Sequence, residues 1–401
     1  SLQQVLMHLS LTLCLCLLCL ALPSRAAVGA WGQAKYYQLG FGTPVDVLSP
    51  EQILQSYFNE TMPVDVCSGQ QHTLALSSNG RVFAWGKNGN GQLGLGDTRT
   101  RKTPVELPSS AFDEAPIKAI ACGSLHSMAV TEDGAVYMWG NNDKYQLGQY
   151  NMRRQVSPVL LNDAYIMGCK AVEVAATSYT SLVLCSEGTI YTVGDNAYGE
   201  AGQGADTDVC KHPAALDTSL LPAGTLFTHV SAGHHHFVAT TAAQGSVAWG
   251  HASSGQCGMG TKHTQVDPPQ AMVDSDRYPL AGVVAVCAGD DHSVAVMYDG
   301  SVMCTGSSMN GQCGWGNQGM QSVAVPVPDM QGVVGCACGY DHTLLLTGDH
   351  AVYASGDNDD GQLGDGTKLV NLSFEEVMVG TIVGVPQRVR AGEYCSFVMT
   401  E

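Results

Sequence analysis

Residues 69–96 read GQQHTLALSSNGRVFAWGKNGNGQLGLG and contain the pattern that decides the fold. Apolar residues alternate on both sides of Asn79-Gly80, and an Asn-Gly pair favours the tight turn of a β-hairpin. A Gly-x-x-His element precedes the hairpin, and a Gly-Gln-Leu-Gly element follows it. The stretch therefore predicts two paired strands with a glycine-containing loop at each outer end.

The same pattern recurs along the chain at a near-constant period. The Gly-Gln-Leu-Gly element has seven copies, and their closing glycines are Gly40, Gly94, Gly148, Gly202, Gly258, Gly314 and Gly364. Five copies of the Gly-x-x-His element keep step with it, through His72, His126, His236, His292 and His342. Thr180 and Cys395 replace the histidine in the other two copies. A run that often begins with proline adds a fourth strand to each unit. Repeated units made only of strands predict an all-β fold, a seven-bladed β-propeller of four-stranded blades.

The two ends of the chain supply complementary parts of one unit. Residues 27–42 contain a second hairpin strand and a Gly-Gln-Leu-Gly-like element, without a preceding Gly-x-x-His. Residues 389–401 contain that missing part. We therefore expect residues 27–401 to form the propeller, with the last blade closed by both chain termini, because such closure pairs strand edges that would otherwise be free. Asp349-His350 is the one hairpin turn without glycine, and we expect a looser turn there.

Residues 89–94 also match the glycine pattern of dinucleotide-binding loops, Gly-x-Gly-x-x-Gly. Such a loop leads directly into a helix whose N-terminus holds the phosphates. The chain instead continues as DTRTRKTPVEL at residues 97–107, and the other repeats lack glycine at the position of Gly89. The pattern therefore predicts a turn, and we expect no cofactor.

The N-terminal part of the chain has a different composition. Residues 9–22 read LSLTLCLCLLCLAL and carry no charge. A membrane-spanning helix needs about 20 apolar residues, whereas the apolar core of a signal peptide is shorter. We expect residues 1–26 to be a secretory signal peptide and the protein to be secreted or lumenal, with an uncleaved membrane anchor as the alternative. The mature chain would contain no membrane span.

A secretory location has consequences for two kinds of residue. Asn59 and Asn371 begin the sequons Asn-Glu-Thr and Asn-Leu-Ser, so we predict that both are glycosylated if the protein is secreted. Disulfides become possible among the cysteines beyond residue 26. Most of these cysteines either stand one or two residues before a recurring glycine or replace the leucine of a recurring motif, which favours a role as small, buried apolar residues. They include Cys67, Cys122, Cys257, Cys287, Cys313 and Cys338.

The formal net charge is −18, which disfavours nucleic acid as a partner. Eight of the 18 lysines and arginines lie in the segment that follows a Gly-Gln-Leu-Gly element: Arg99, Arg101, Lys102, Arg153, Arg154, Lys211, Lys262 and Lys368. Equivalent loops emerge on one side of a propeller. The pattern thus predicts a comparatively basic rim that binds an acidic protein partner, although ordinary solvated loops would give the same pattern.

The recurrent histidines suggest a metal or catalytic array, and His234-His235-His236 is the best local candidate. Each recurrent histidine, however, belongs to a different blade at the same position, so we expect a structural role for all five. The recurrent tryptophans, which precede the glycine of the second hairpin strand, predict packing between blades: Trp31, Trp85, Trp139 and Trp249. We identify no metal site, no catalytic residue and no enzymatic activity.

These units resemble the repeats of the regulator-of-chromosome-condensation family over residues 27–401. The resemblance implies a seven-bladed propeller that binds proteins through its faces and loops. Members include an exchange factor for a nuclear-transport GTPase, modules of large ubiquitin ligases, a secreted bacterial β-lactamase inhibitor and a plant ultraviolet photoreceptor. The photoreceptor depends on an interface cluster of tryptophans. This chain has five tryptophans in all and lacks such a cluster, so we do not expect it to share the photoreceptor activity.

Three functions follow as expectations. The leading one is a non-catalytic protein-binding propeller of the secretory pathway or cell exterior. The alternatives are a guanine-nucleotide exchange factor for a small GTPase and a secreted enzyme inhibitor.

Overall fold

The computed structural model describes residues 26–59, 61–204, 207–261 and 263–401. Within these ranges 28 β-strands form seven antiparallel sheets of four strands each. The helical elements described are three short 3₁₀ helices, Gln55–Phe58, Ser109–Phe112 and Asp163–Tyr165. The predicted all-β, seven-bladed propeller of four-stranded blades is confirmed. The predicted signal peptide lies outside the described residues, apart from Ala26.

The strands follow one another blade by blade. The chain starts with β1 (Val28–Gly32) and β2 (Val47–Gln52). Blade 1 contains β3 (Pro63–Ser68), β4 (His72–Ser77), β5 (Val82–Gly86) and β6 (Arg101–Glu106). Blade 2 contains β7 (Ile117–Cys122), β8 (His126–Thr131), β9 (Val136–Gly140) and β10 (Gln155–Leu160). Blade 3 contains β11 (Ala171–Ala176), β12 (Thr180–Cys185), β13 (Ile190–Asp195) and β14 (Val209–Ala215).

The second half of the chain repeats this arrangement. Blade 4 contains β15 (Phe227–Ala232), β16 (His236–Thr241), β17 (Ser246–His251) and β18 (Gln265–Ala271). Blade 5 contains β19 (Val283–Ala288), β20 (His292–Met297), β21 (Val302–Ser307) and β22 (Met320–Pro326). Blade 6 contains β23 (Val333–Cys338), β24 (His342–Thr347), β25 (Val352–Gly356) and β26 (Asn371–Glu376). The last strands are β27 (Pro386–Ala391) and β28 (Cys395–Thr400).

Blade 7 is built from both ends of the chain, as the sequence predicts. Its strand order is β2-β1-β28-β27, and β1 pairs with β28 from Val28↔Met399 to Gly32↔Cys395. Ion pairs join blade 7 to blade 1, because Arg388 and Arg390 each lie 2.9 Å from the carboxylate of Asp65. Hydrogen bonds and charges therefore close the ring at the junction of its first and last strands.

The first strand of each blade contacts its counterpart in the next blade, so these strands surround a central channel. In an antiparallel sheet, the loops after the first and third strands emerge at the same end. We call this end, which carries the Gly-x-x-His and Gly-Gln-Leu-Gly elements, the loop face. The opposite end carries the hairpin turns and the connections between blades, and we call it the hairpin face.

The expectation of a looser turn at Asp349-His350 is wrong. The N–H of His350 donates to the carbonyl of Thr347 at 2.9 Å, the same distance as between Gly80 and Ser77 in blade 1. His350 adopts a φ of +69°, close to the +78° of Gly80. The turn geometry is thus kept because a non-glycine residue takes the left-handed conformation.

The cysteines differ from the sequence expectation. Cys67–Cys122 and Cys287–Cys338 are disulfides that join the first strands of neighbouring blades, each with a Cα–Cα distance of 5.6 Å. Cys169–Cys185 and Cys304–Cys313 are also disulfides. The predicted packing role was therefore wrong for Cys67, Cys122, Cys287, Cys313 and Cys338, whereas Cys257 is a buried free thiol. The two inter-blade disulfides could not be predicted from sequence spacing, because the paired cysteines do not occupy equivalent positions. Each disulfide joins the fifth residue of the first strand in one blade to the sixth residue of the first strand in the next blade.

Candidate protein-binding face

A hydrogen-bonded relay joins neighbouring blades just beneath the loop face. His72 of blade 1 lies with its Nε2 2.9 Å from Oγ of Ser127 in blade 2. Ser127 in turn donates to the carbonyl of Gln92, at 2.8 Å. Because the serine proton goes to this carbonyl, the histidine must carry its proton on Nε2. Trp139 donates its Nε1–H to the same carbonyl at 2.8 Å.

The relay recurs around the ring. The other histidine–hydroxyl pairs are His126–Ser181, His236–Ser293, His292–Thr343 and His342–Ser396, at 2.7 to 2.9 Å. All five histidines are fully buried. Burial lowers the pKa of each to about 3, so the rings stay neutral. The structure thus places the recurrent histidines between blades, away from solvent.

The recurrent tryptophans share one contact. Besides Trp139, the indoles of Trp31, Trp85 and Trp249 donate to the carbonyls of Gln362, Gln38 and Glu200 in the preceding blade, at 2.7 to 2.9 Å. The closing glycine of the Gly-Gln-Leu-Gly element packs against the same ring, because a Cβ at Gly94 would lie 2.8 Å from Nε1 of Trp139. The repeated Gln-Leu-Gly thus forms an inter-blade contact.

In blade 3, both the glycine and the histidine of the Gly-x-x-His element are replaced by other residues. At Gly123 of blade 2 a Cβ would lie 2.2 Å from Cε1 of His126, so the histidine requires glycine three residues earlier. Blade 3 has Thr177 and Thr180 at these two positions, and the N–H of Thr180 donates to Oγ1 of Thr177 at 3.0 Å. The sequence showed that blade 3 lacks both the glycine and the histidine. It did not show that the histidine requires the glycine.

The two variable residues of each Gly-x-x-His element surround the channel mouth on the loop face. Ser124 of blade 2 donates to Glu393 of blade 7 at 3.0 Å. Nδ1 of His234 lies 3.3 Å from Oδ1 of Asp290. Burial is the largest single effect on His234 and lowers its pKa, but the hydrogen bond to Asp290 and the negative charges of Asp290, Glu393 and Asp291 together outweigh burial and raise the pKa of the imidazole. Among the described residues, these side chains close much of the channel mouth, leaving a cavity of about 90 Å³.

An acidic sector occupies the loop face on blades 5 to 7. We define it by Asp290, Asp291, Asp341, Asp357, Asp359, Asp360 and Glu393. Burial raises the pKa of Asp341 to about 6, and burial also raises that of Glu393. The rings of Tyr340 and Tyr394 stack beside these carboxylates at 5.5 Å. Sequence reasoning missed this group, although the copies GDDH, GYDH and GEYC contained the signal.

Carboxylates of the same chain pair with some of the cations of the predicted basic rim. Arg99 and Arg101 both pair with Asp97, at 2.7 and 3.0 Å, and the hydrogen bond from Arg101 holds the pKa of this carboxyl well below its usual range. Lys368 pairs with Asp46 at 3.3 Å. The structure thus brings Arg99 and Arg101 together around the carboxylate of Asp97. The charge of Lys368 is compensated by Asp46.

Of the remaining predicted cations, the four that the structure describes have no carboxylate partner in the described part of the chain. Arg154 donates to the carbonyl of Gly89 at 2.9 Å. Lys102 and Lys211 lie over the rings of Tyr37 and Tyr145, at 5.2 and 5.5 Å. Arg153 is exposed. Lys262 lies outside the described residues. We define the basic sector by Arg99, Arg101, Lys102, Arg153 and Arg154 of blades 1 and 2.

One cluster on this face has the residue types of a nucleophilic triad. Oγ of Ser253 lies 2.9 Å from Nε2 of His251, and Asp291 lies 3.7 Å from Nδ1. Gln256, however, donates its amide to Nδ1 at 3.0 Å and to Asp291 at 2.7 Å. An imidazole that accepts at Nδ1 carries its proton on Nε2, so it cannot take the proton of Ser253.

Metal ligands are equally unsupported in the described ranges. The one group of three candidate ligands there is Cys169, Cys185 and Glu187, and the two cysteines form a disulfide. Both sequon asparagines are described. Asn59 is exposed, at the end of the first 3₁₀ helix, whereas Asn371 is half-buried at the start of β26.

Comparison with known protein families agrees with this architecture. The RCC1-like domain matches residues 14–280, and the regulator of chromosome condensation (RCC1) repeat matches residues 283–312 and 333–362. The chain belongs to the RCC1-like family. The family resemblance seen in the repeats is therefore confirmed.

Two curated members of the RCC1-like family illustrate its range. The ultraviolet-B receptor UVR8 of Arabidopsis thaliana is 32% identical over 294 residues, which are 73% of this chain and 63% of the receptor. The human E3 ubiquitin-protein ligase HERC2 is 30% identical over 300 residues, which are 74% of this chain and 6% of the ligase. The chain thus spans less than two thirds of the length of these relatives.

Solved structures share the whole propeller. Human WBSCR16 superposes with a TM-score of 0.81 at 22% identity, covering 94% of this chain and 99% of that protein. Yeast RCC1 (Prp20), solved with Kap60 bound, gives a TM-score of 0.80 at 20% identity, covering 94% of this chain and 88% of that protein. At such identities the likeness establishes the fold alone. Among the described residues, no helix is long and apolar enough to cross a membrane.

Proposed function

We propose that this RCC1-like chain is a non-catalytic, protein-binding propeller of the secretory pathway or cell exterior, and that it holds its partner on the loop face. The observation that carries the proposal is the division of this face into a basic sector on blades 1 and 2 and an acidic sector on blades 5 to 7. A partner with the opposite arrangement of charge would be oriented on docking, since complementary potentials steer association and suppress wrong registers.

The two sectors differ in how strongly their charges are compensated. In the basic sector, Lys102 and Arg153 have no carboxylate partner among the described residues, while Asp97 compensates Arg99 and Arg101. In the acidic sector, burial raises the pKa of Asp341 to about 6. A cation from a partner would favour the ionised form of this carboxyl, so binding would stabilise a charge that burial disfavours.

The secretory location rests on a separate set of observations. Residues 9–22 have the length and composition of a signal-peptide core. The four disulfides found among the described residues support an oxidising compartment, because such bonds are rare in proteins of the reducing cytosol. We therefore place the protein in the secretory pathway or outside the cell.

The experiment is capture of partners by the full chain, expressed with a C-terminal tag and a native N-terminus. The test variant Lys102→Glu/Asp359→Lys exchanges one charge between the sectors and leaves the net charge unchanged. The matched control, Lys170→Glu/Glu187→Lys, makes the same exchange at two exposed residues of the hairpin face. We expect the test variant to lose the partner and the control to retain it. Equal capture by both variants would contradict the loop-face assignment.

The same material separates the alternatives. Yeast Prp20p, similar in fold, has been solved in work on its binding to Gsp1p and histones. If the chain released nucleotide from a small GTPase, the exchange-factor alternative would replace our proposal. If the captured partner were an enzyme that loses activity on binding, the protein would be a secreted inhibitor. Sequencing of the mature N-terminus tests cleavage after residue 26.

A further inference from the structure

One junction between blades departs from the pattern that the others follow. Two residues after the closing glycine of the Gly-Gln-Leu-Gly element, six repeats have a second glycine: Gly42, Gly96, Gly204, Gly260, Gly316 and Gly366. All six have positive φ, between +60° and +83°. Blade 2 has Tyr150 at this position. Six blades have glycine at this position, so a blade does not require a tyrosine here. Tyr150 is not among the residues with positive φ, so the loop of blade 2 has a different backbone conformation.

The residue that faces Tyr150 from the next blade also differs from its counterparts at the other junctions. A Cβ at Gly96 would lie 3.8 Å from Oγ of Ser157 in the outer strand of the next blade. The same neighbour is Ser373 or Ser49 at two other junctions, with Oγ at 3.5 Å, and Thr103 at a third, with its methyl Cγ2 at 3.5 Å, whereas Gly204 and Gly260 face Asp217 and Val273. Facing Tyr150 is His212 in the outer strand of blade 3, with the two ring centroids 4.8 Å apart. A small glycine–hydroxyl contact is thus replaced by a pair of rings at one junction.

A third ring completes the group. Tyr165, in the 3₁₀ helix that follows blade 2, stacks on His212 at 4.8 Å with an interplanar angle of 5°. It also lies 5.9 Å from Tyr150 and hydrogen-bonds to its hydroxyl. Three separate segments therefore bring their rings together on the outer wall between blades 2 and 3. We call Tyr150, Tyr165 and His212 the rim cluster.

The rim cluster is open to solvent and has apolar neighbours. Tyr150 is 73% exposed, and Met152 and Met167 nearby in the chain are 51% and 85% exposed. Tyrosine and methionine are enriched at protein interfaces, and tyrosines often dominate the binding energy there. The group therefore has the composition of an interaction surface rather than that of a folding contact.

Charge identifies the kind of partner. Arg153 follows Met152 in the chain, and Lys211 precedes His212. Neither cation lies within ion-pair distance of a carboxylate in the described part of the protein, although the whole chain carries a net charge of −18. A cationic segment would be repelled by both residues, whereas an acidic one would be attracted to them.

We propose that the rim cluster binds a short acidic segment of a partner protein, with an aromatic or aliphatic side chain of that segment packed among the three rings. The proposal rests on the protein-binding function argued above and adds a second contact on the outer wall, next to the basic sector, with which it shares Arg153. The rings supply the contact area, and Arg153 and Lys211 select for acidic neighbours.

The test uses a variant that copies the glycine and serine of three other junctions, Tyr150→Gly/His212→Ser. It restores their glycine–serine contact, so we expect it to fold with unchanged thermal stability. The probe is a random peptide library displayed on phage and selected on the full chain. Tyr298→Ala, an 80% exposed tyrosine on the hairpin face, is the matched control.

The selected peptides should be rich in aspartate and glutamate around an aromatic or aliphatic residue. Synthetic copies should bind the restored variant and Arg153→Glu at least about tenfold more weakly than the wild type and the Tyr298→Ala control. No enrichment, a basic consensus, or unchanged binding to the restored variant would overturn the proposal. The Lys102→Glu/Asp359→Lys variant should bind the peptides normally, which separates failure of this site from failure of the loop-face proposal.

Discussion

His72 and Ser127 belong to neighbouring blades and lie 2.9 Å apart, with the histidine Nε2–H donated to the serine hydroxyl. The same contact is made at four other junctions, by His126, His236, His292 and His342. Hydrogen bonds within a blade cannot hold one blade to the next. The relay therefore supplies directional contacts between blades, in addition to the tryptophan–carbonyl hydrogen bonds, the inter-blade disulfides and apolar packing.

Removing one relay histidine should measure this contribution. His126→Ala leaves Ser181 without its donor and opens a cavity, so we expect the free energy of unfolding to fall by about 2–4 kcal/mol. Urea denaturation followed by tryptophan fluorescence checks this value. The control is His263→Ala, since His263 is exposed on a loop. A loss of stability equal to that of the control would show that the relay contributes nothing.

The buried histidines also predict a pH dependence. Burial lowers the pKa of His126 from 6.5 to about 3 in the folded protein. Below pH 6.5 the unfolded chain takes up a proton that the folded chain refuses, so stability falls as the pH falls from 6.5 towards 3. Each such histidine adds up to about 1.4 kcal/mol per pH unit to this slope. Denaturation between pH 6.5 and 4 should show a shallower slope for His126→Ala than for the wild type, and equal slopes would contradict a neutral, buried ring.

Blade 3 predicts a compensating pair. Gly123→Thr alone should be strongly destabilising, because its Cβ would lie 2.2 Å from Cε1 of His126. Gly123→Thr/His126→Thr reproduces Thr177 and Thr180, and we expect it to recover part of the loss. Thermal unfolding of the four proteins in the double-mutant cycle gives the coupling. Additive effects of the two substitutions would show that the glycine and the histidine are independent.

The inter-blade disulfides predict a redox-dependent stability. Cys67–Cys122 closes a loop with a sequence separation of 55 residues. Cys67→Ser/Cys122→Ser should therefore lower the free energy of unfolding by about 2–4 kcal/mol under oxidising conditions. Peptide mapping without reduction should find the Cys67–Cys122 pair in the wild type. Equal stability of variant and wild type, with the pair present, would argue against a role in holding the ring closed.

The repeat made the fold predictable from sequence, because Asn79-Gly80 and the Gly-Gln-Leu-Gly copies specify local turns that can be recognised without tertiary contacts. The proposed partner-binding site could be predicted only in part from the sequence. The basic loops were visible in sequence, but the pairing of Arg99 and Arg101 with Asp97 depends on loop geometry. The acidic sector was missed because its residues come from three blades and meet only around the channel. Tyr150 replaces the glycine of the other repeats, but its contact with His212 depends on how the neighbouring blade packs.

The most direct test of the loop face as the binding surface is partner capture by the full chain and by Lys102→Glu/Asp359→Lys, with Lys170→Glu/Glu187→Lys as control. We predict that the exchange of charge on the loop face abolishes capture, while the same exchange on the hairpin face leaves it intact. Retention of the partner by the loop-face variant, or its loss from the hairpin-face control, would contradict the assignment of the loop face as the binding surface.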